Sequence, residues 1–306
     1  MFIDVPRSSA SLGKGAELGF VSPILPTLVS EPPSGPGWLH EIKHDGNRTL
    51  VVIHHGQVHA YTRNGHDWTD RYSRAVACAA SLRCWSAVLD GEMIVQNERG
   101  LSDFPALSRA MMQEPHRLVF YAFDLVHLDG ADLRSRPLEE RRAALTNLIG
   151  AADPMCPIQF SEAVDGDGAA VFAVAERLGV EGIVSKKLGS KYRSGRSTAW
   201  LKTKCMTESE FVVVGMERNP GGPPFALLAR EQDGELTYAG SAFVTLPQPA
   251  REEFWNRTAA LTIRTPALKE LRTTKASFVL PELRVRARHL RGGAMLRHAS
   301  LSAVLS

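Results

Sequence analysis

The sequence predicts an α+β fold over residues 1–206 and a small all-β fold over residues 207–306. Three observations predict it. Short apolar runs rich in β-branched residues follow one another from Trp38 onward. Helical stretches are interspersed among them without strict strand-helix alternation, which points to α+β rather than to a parallel α/β sheet. Beyond Thr207 the strands shorten and Gly and Pro turns separate them.

Residues 1–37 carry Pro23, Pro26, Pro32, Pro33 and Pro36 among several Gly and Ser, so an irregular lead-in on the surface is expected there. Strands are expected over 39–43, 49–54 and, after the turn His55-Gly56, over 58–62. Residues 70–82 read as a helix, 88–95 as a strand, 103–112 as a helix and 118–128 as a long buried strand. The Leu, Ala, Arg and Glu of 138–149 give the strongest helix signal, and 169–178 gives another. Strands over 182–187 and 199–204 close the first domain, whose sheets are expected to be antiparallel. In the second domain 211–216, 225–230 and 236–242 read as short strands, 250–261 as a helix and 278–289 as the final strand. Short strands of this kind with one helix suit a Greek-key barrel of the OB type.

At 306 residues the chain can bury two sizeable cores. A hydrophobic content of 44% and a charged content of 23% are those of a soluble globular protein and exclude a disordered chain. The net charge of +3 permits a polyanionic partner without demonstrating one. Clustering says more: Arg284, Arg286, Arg288, His289, Arg291, Arg297 and His298 make the C-terminal stretch much more basic than the average. Cys78, Cys84, Cys156 and Cys205 are too few and too irregularly spaced for a disulfide framework or a four-cysteine zinc site, so reduced thiols are expected. No apolar run approaches the ~18 residues of a membrane span, and no basic-then-apolar leader opens the chain. A cytoplasmic protein without membrane contact is expected.

The stretch Glu41-Ile42-Lys43-His44-Asp45-Gly46-Asn47-Arg48 joins an apolar run to a lysine, a carboxylate, a glycine and an arginine. A lysine that attacks phosphorus must be neutral, and at its ordinary pKa of about 10.4 almost none is neutral near pH 7. Desolvation or neighbouring cations must then depress it. Asp45 can orient the amine or hold a metal, Gly46 lets the backbone approach a nucleotide, and Arg48 can grip a phosphate or ribose. Glu92, in Asp90-Gly91-Glu92, sits in an apolar strand where a carboxylate is costly unless it faces a cleft. It can accept a ribose hydroxyl or bind a metal. Phe123, beside Asp124, can stack on a purine. Glu181, before the strand of 182–187, is a candidate Mg²⁺ ligand. Lys202 and Lys204 stand at period two and share a strand face, where an α-phosphate would relieve their mutual repulsion. Singly, each of these could be an ordinary turn, core ring or solvated face. Together their order and spacing carry the signal.

That order resembles the covalent nucleotidyltransferases, and within them the ATP-dependent DNA ligases. The passages Tyr61-Thr62-Arg63-Asn64-Gly65-His66-Asp67-Trp68, Leu101-Ser102-Asp103-Phe104, Phe123-Asp124-Leu125-Val126-His127-Leu128-Asp129-Gly130 and Tyr192-Arg193-Ser194-Gly195-Arg196 are similar to the ligase domain of bacterial non-homologous end-joining ligases. The resemblance covers nearly the whole chain. It implies a nucleotidyltransferase (adenylation) domain over 1–206 followed by an OB-type domain over 207–306, with ATP and Mg²⁺ or Mn²⁺ as cofactors. It also implies the reaction: Lys43 takes AMP from ATP, the AMP passes to a 5′-phosphate at a DNA nick, and a 3′-hydroxyl displaces it. Glu41, Ile42, Phe123 and Ile183 would enclose the adenine, and Arg48, Arg63 and Glu92 would hold ribose and phosphate. Asp45, Glu92 and Glu181 would organise the metal, with Lys43, Asp45, Lys202 and Lys204 as the catalytic set. Lys186, Lys187, Lys191, Arg193, Arg196, Arg288 and Arg297 would contact DNA phosphates.

Two passages depart from the family. Leu296-Arg297-His298-Ala299-Ser300-Leu301 approaches its closing arginine and Asp-Lys motif, and the chain then runs out as Ser302-Ala303-Val304-Leu305-Ser306. Gly240-Ser241-Ala242-Phe243 stands where a glycine- and threonine-rich turn is usual. The alternatives to a nick-sealing ligase are a degenerate ligase-like protein that binds DNA ends without self-adenylating and, further off, an RNA ligase or capping guanylyltransferase. The resemblance implies nicked or broken duplex DNA as partner, a Ku-like end-binding protein beside it, a monomeric state and a bacterial, nucleoid-associated location.

Overall fold

Strands and helices follow in chain order as β1 (Ile24–Leu28), β2 (Trp38–Ile42), β3 (Asn47–His54), β4 (Gln57–Thr62), α1 (Ser73–Ala79), β5 (Ser86–Val95), α2 (Phe104–Gln113), β6 (Leu118–Leu128), β7 (Ala131–Asp132) and α3 (Leu138–Gly150). Next come β8 (Ile158–Phe160), β9 (Ala163–Asp165), α4 (Gly168–Leu178), β10 (Gly182–Lys187) and β11 (Gly195–Lys204). The remainder is β12 (Met206–Glu217), β13 (Phe225–Gln232), β14 (Glu235–Phe243), α5 (Gln248–Ala260), β15 (Thr262–Ile263), β16 (Ala276–Val279), β17 (Arg284–Leu290) and β18 (Ser300–Val304). The computed structural model describes residues 18–150, 155–218, 221–271, 275–291 and 295–305. The lead-in expected over 1–17 lies outside the described residues. Two units emerge, residues 1–169 with 184–202, and residues 170–183 with 203–306.

In the first unit one sheet runs β4-β3-β5-β6-β7, with β8 beside β6, and a second runs β1-β11-β10-β2-β9. Strand β3 shows why the apolar runs look continuous. Its side chains alternate: Val51 and Ile53 pack towards α1, α2 and α3, while Leu50 and Val52 pack with Ile24, Phe123 and Trp200. Both faces are therefore buried, and each fully buried Val, Leu or Ile contributes roughly 1.5–3 kcal/mol. Helix α2 starts where Asp103 accepts a hydrogen bond from the Ala106 amide at 3.2 Å.

Several expectations need correction. The sheets are mixed rather than antiparallel, because β1 pairs β11 and β8 pairs β6 in parallel. The proline-rich lead-in contains a real strand: Ile24 is fully buried, and Pro26, which lacks an amide donor, falls at a register shift on the sheet's edge strand. The helix expected over 70–82 is a 3₁₀ turn at Thr69–Tyr72 continuing into α1. Cys78 and Cys156 are joined as a disulfide, with Cα atoms 5.7 Å apart, although 78 positions separate them in sequence. They meet because both pack against the same core on the helix side of the sheet. Cys84 and Cys205 carry free thiols.

In the second unit β12, β13, β14, β18 and β17 pair in that order and β17 pairs back to β12, so the strands close into a ring. Phe211, Val213, Leu228, Val285, Leu301 and Phe254 of α5 fill its core. The final strand expected over 278–289 is two strands, β16 and β17, interrupted at Leu280–Leu283 around Pro281. Arg284 and Arg286 of β17 are not a bare basic face: Arg284 pairs with Glu231, and Arg286 with Glu210 at 3.2 Å. Among the described residues no helix is long and apolar enough to cross a membrane.

Candidate active site

Strand β2 delivers Glu41 and Ile42 to a short loop, 43–46, that turns into β3. Gly46 fixes how that loop lies. A Cβ at this position would overlap the Met93 carbonyl oxygen and crowd the Ile94 side chain, so the loop lies directly on β5. Sequence reasoning gave this glycine to the nucleotide; the neighbour that requires it is β5. The register then sets Arg48 opposite Glu92.

Lys43 lines a cavity of about 240 Å³ in the first unit. Its wall also carries Glu41, Ile42, His44, Arg48, Arg63, Glu92, Phe123, Val184, Lys186, Arg196, Trp200 and Lys202. The Phe123 and Trp200 rings meet edge to face at 6.0 Å and supply the apolar surface, and the remaining charge is largely cationic.

Two buried networks fix these groups. Arg48 donates from Nε to Asp90 Oδ1 at 2.6 Å and from Nη2 to Asp90 Oδ2 at 2.7 Å, and Tyr192 Oη donates to the same carboxylate at 2.7 Å. Burial opposes the guanidinium charge, but Asp90 more than restores it, so Arg48 holds its proton more tightly than usual. Its Cζ lies 4.4 Å from the centre of the Phe123 ring. In the second network Glu41, 2% exposed, takes Arg142 Nη1 at 2.5 Å and Lys186 Nζ at 2.7 Å. Lys186 Nζ also stands 4.3 Å from the Phe123 ring centre and 4.1 Å from that of Trp200. Burial is the main cause that pulls its pKa down to about 8, with Glu41 opposing and Arg142 assisting. His44 stacks on Tyr121 at 4.3 Å, and its Nε2 is 3.3 Å from Ser161 Oγ. Burial, then the charges of Lys43 and Lys186, lower its pKa to about 4, so the ring is neutral near pH 7.

The cavity thus gathers Glu41, Ile42, Lys43, Arg48, Arg63, Glu92, Phe123 and Lys202 of the expected nucleotide set. Asp45 stands on the same loop outside the cavity lining. Ile183, Glu181 and Lys204 belong to the second unit, where Lys204 Nζ lies 3.2 Å from Glu181 Oε1. Lys186 corrects an expectation: it is 1% exposed and paired inside the cavity, so its ammonium is not available to a duplex surface. Arg196, also expected on DNA, is exposed and lines the same cavity. Lys187, Lys191, Arg193 and Arg288 are exposed, and Arg297 is half-buried. Sequence reasoning missed Arg142, because an arginine within a Glu-rich helix ordinarily reads as solvated. It missed Trp200 as a cavity group because an aromatic residue in a strand ordinarily reads as core, and it missed Tyr192 as the hydroxyl that holds Asp90.

The sequence pattern of the ATP dependent DNA ligase domain matches residues 29–204. The multifunctional non-homologous end joining protein LigD of Pseudomonas aeruginosa is 36% identical over 272 residues, which are 87% of this chain and 32% of that protein. This chain spans 27% to 32% of the length of the LigD proteins it matches first. The SPbeta prophage-derived DNA ligase-like protein LigB of Bacillus subtilis is 32% identical over 199 residues, 64% of this chain and 72% of that one. Among solved structures, a mycobacterial DNA ligase D complexed with ATP and MES superposes with a TM-score of 0.58 at 28% identity, covering 93% of this chain and 94% of that one.

Proposed function

This chain belongs to the ATP-dependent DNA ligase family, and from that premise we propose that it seals breaks in duplex DNA through a lysyl-AMP intermediate on Lys43. One observation carries the reading: Lys43 shares a single cavity with Arg48, Arg63, Arg196 and Lys202 and with the Phe123 and Trp200 rings. A purine would lie against the rings and the phosphates would turn towards the cations.

In the first step the Lys43 amine forms a P–N bond to the α-phosphorus of ATP as the bond to the β-phosphate oxygen breaks and pyrophosphate leaves. Lys202, with Lys204 as a second cation, would offset charge on the phosphate in flight. Arg48, held rigidly by Asp90, and Arg63 would hold ribose and phosphate, and Ile183 would complete the adenine enclosure. AMP then passes to a 5′-phosphate, and a 3′-hydroxyl displaces it.

Among the described residues no group of three His, Cys, Asp or Glu could hold a metal by itself. Mg²⁺ needs only one or two carboxylates when phosphate oxygens and water supply the rest. Glu92 on the cavity wall fits that role, with Asp45 and Glu181 as the further carboxylates. A bound Mg²⁺ or Mn²⁺ would supply charge neutralisation at the phosphates.

The ring of β12, β13, β14, β18 and β17, with α5 between β14 and β17, supports an OB-type barrel for the second unit. The exposure of Lys187, Lys191, Arg193 and Arg288 supports phosphate contacts to duplex DNA. The P. aeruginosa relative's name, with non-homologous end joining in it, supports broken ends as substrate; a Ku-like partner, a monomeric state and a nucleoid-associated location belong to the same proposal and rest on the family resemblance alone.

The test is incubation with Mg²⁺ and ATP labelled at the α-phosphate, read on a denaturing gel beside Lys43→Ala. Label retained by the wild type and absent from the variant is the expected result. Equal labelling of both would remove Lys43 as the nucleophile. Labelling of neither, with a pre-adenylated nick also left unsealed, would favour the DNA-end-binding alternative.

A further inference from the structure

The second unit carries a cavity of its own, of about 340 Å³, beside the last turns of α5. Strand register builds most of it. Met216 of β12 stands opposite Ser277 of β16, and Val279 of β16 stands opposite Thr262 of β15. Helix α5 closes the remaining side with Trp255, Thr258 and Ala259, which share one helix face because they are three and four positions apart. The volume is that of a small-ligand pocket, about 300–1,000 Å³. The ligase chemistry uses none of these side chains.

Floor and mouth differ in character. Met216 and Val279 are buried and supply an apolar floor, and a methionine adapts its shape to what is set against it. Arg218, directly after β12, and Lys275, directly before β16, are exposed and carry the charge of the wall, one position beyond the Glu217–Ala276 pair. Among the described residues lining the cavity there is no carboxylate. Like charges on neighbouring strands repel, and an anion seated between them relieves that. Two of the hydroxyls are committed elsewhere: Thr258 Oγ1 donates to the Phe254 carbonyl at 2.9 Å, and Thr262 Oγ1 to the Thr258 carbonyl at 3.1 Å. The donors offered to a ligand are therefore chiefly cationic.

An apolar floor beneath two cations fits an apolar side chain flanked by carboxylates. A nucleic acid fits less well. Its phosphates gain nothing from Met216 and Val279, and a base would need the Trp255 face, where Arg218 Cζ already lies 4.7 Å from the ring centre. A guanidinium over a ring keeps its N–H donors at its rim, where one carboxylate can take two of them. We infer that this cavity docks an acidic peptide segment of a partner protein, seating an apolar side chain on Met216 and Val279 and the flanking Asp or Glu on Arg218 and Lys275.

The test begins with a library of random peptides displayed on phage and selected on the whole immobilised chain. Enriched peptides are then measured by fluorescence anisotropy against the wild type, Arg218→Glu and Lys275→Glu. Both positions are exposed, so the fold should survive; circular dichroism checks this. The expected result is enrichment of sequences with Asp or Glu beside Leu, Ile, Met or Phe, bound about tenfold or more weakly by each variant and more weakly by the wild type as salt is raised. Changing the acids of the peptide to Lys should restore part of the binding to Arg218→Glu. Nick sealing by both variants should stay within about twofold of wild type. Enriched peptides that bind the variants as tightly as the wild type would leave Arg218 a packing residue on Trp255 and overturn the inference, as would a library that enriches no acidic sequence. Binding of single-stranded oligo(dT) that weakens about tenfold in both variants, or nick sealing that falls with duplex binding, would assign the cavity to nucleic acid instead. Peptide binding needs neither ATP nor DNA, so failure of the ligase reading would leave this result standing.

Discussion

Replacing Arg141 by Met should destabilise the first unit far more than replacing any surface arginine. Arg141 and Asp124 are both fully buried, joined by Nε to Oδ1 and Nη2 to Oδ2 bonds of 2.8 Å each. Arg141 Nη1 also donates to the Arg136 and Ser190 carbonyls, again at 2.8 Å. The substitution strands a carboxylate in the core and removes a donor from two carbonyls. Breaking one side of such a pair costs about 3–5 kcal/mol, and the abandoned carbonyls push this towards the upper end. With a urea m-value near 2 kcal/mol/M, the midpoint should fall by roughly 2 M. Arg136→Met is the control, since its 3.7 Å pair with Glu140 has both side chains 54% exposed. That loss should stay below about 0.5 kcal/mol. Urea unfolding of the whole chain, followed by circular dichroism, reads both variants, and Asp124→Leu combined with Arg141→Met should regain part of the loss by removing the stranded charge. An Arg141→Met loss below about 1 kcal/mol, or a double variant no better than the single one, would refute the reasoning.

Lys186 should give the protein an alkaline gain in stability. Its folded pKa of about 8 lies below the ordinary 10.5, so between those values the unfolded chain binds the extra proton and unfolding becomes harder as pH rises. The contribution, on the order of 3 kcal/mol across the window, is lost as pH falls through 8; it should appear in the wild-type minus Lys186→Met difference and be absent from the variant alone. Gly46→Ala should cut self-adenylation by at least about tenfold, because the loop carrying Lys43 must lift off Met93; an unchanged rate would show that the loop tolerates the displacement. Thiol titration of denatured, unreduced protein should find two of the four cysteines and, after reduction, all four, with reduction costing about 4 kcal/mol of stability; four reactive thiols at the outset would dispose of the Cys78–Cys156 bond.

Legibility in the sequence followed burial and locality. Strand β6 could be read to the residue, because an eleven-residue run buried on both faces has no competing pattern. Helix α3 was equally plain in extent, yet the inward direction of Arg141 and Arg142 was not, since their partners Asp124 and Glu41 come from distant strands. Strand β1 was hidden by Pro26, which local propensity penalises and an edge position forgives. Within the site, Lys43, Arg48 and Glu92 were found from residue type and order, and the cavity brings them together. Lys186 was misread because adjacent lysines usually face water, whereas successive strand residues face opposite ways: Lys187 is exposed and Lys186 is buried.

The closed ring of the second unit bears on how this protein behaves when crowded. The ring joins β14 to β18 through one pair, Phe243 with Ser300, so it shortens without removing the row of amides and carbonyls that another chain could copy along β14. Among the described residues the branch through β16 also ends openly, in β15, two residues long. The β14 edge is therefore where a neighbouring molecule of that unit could extend the sheet, and around the rest of the ring contacts run through side chains.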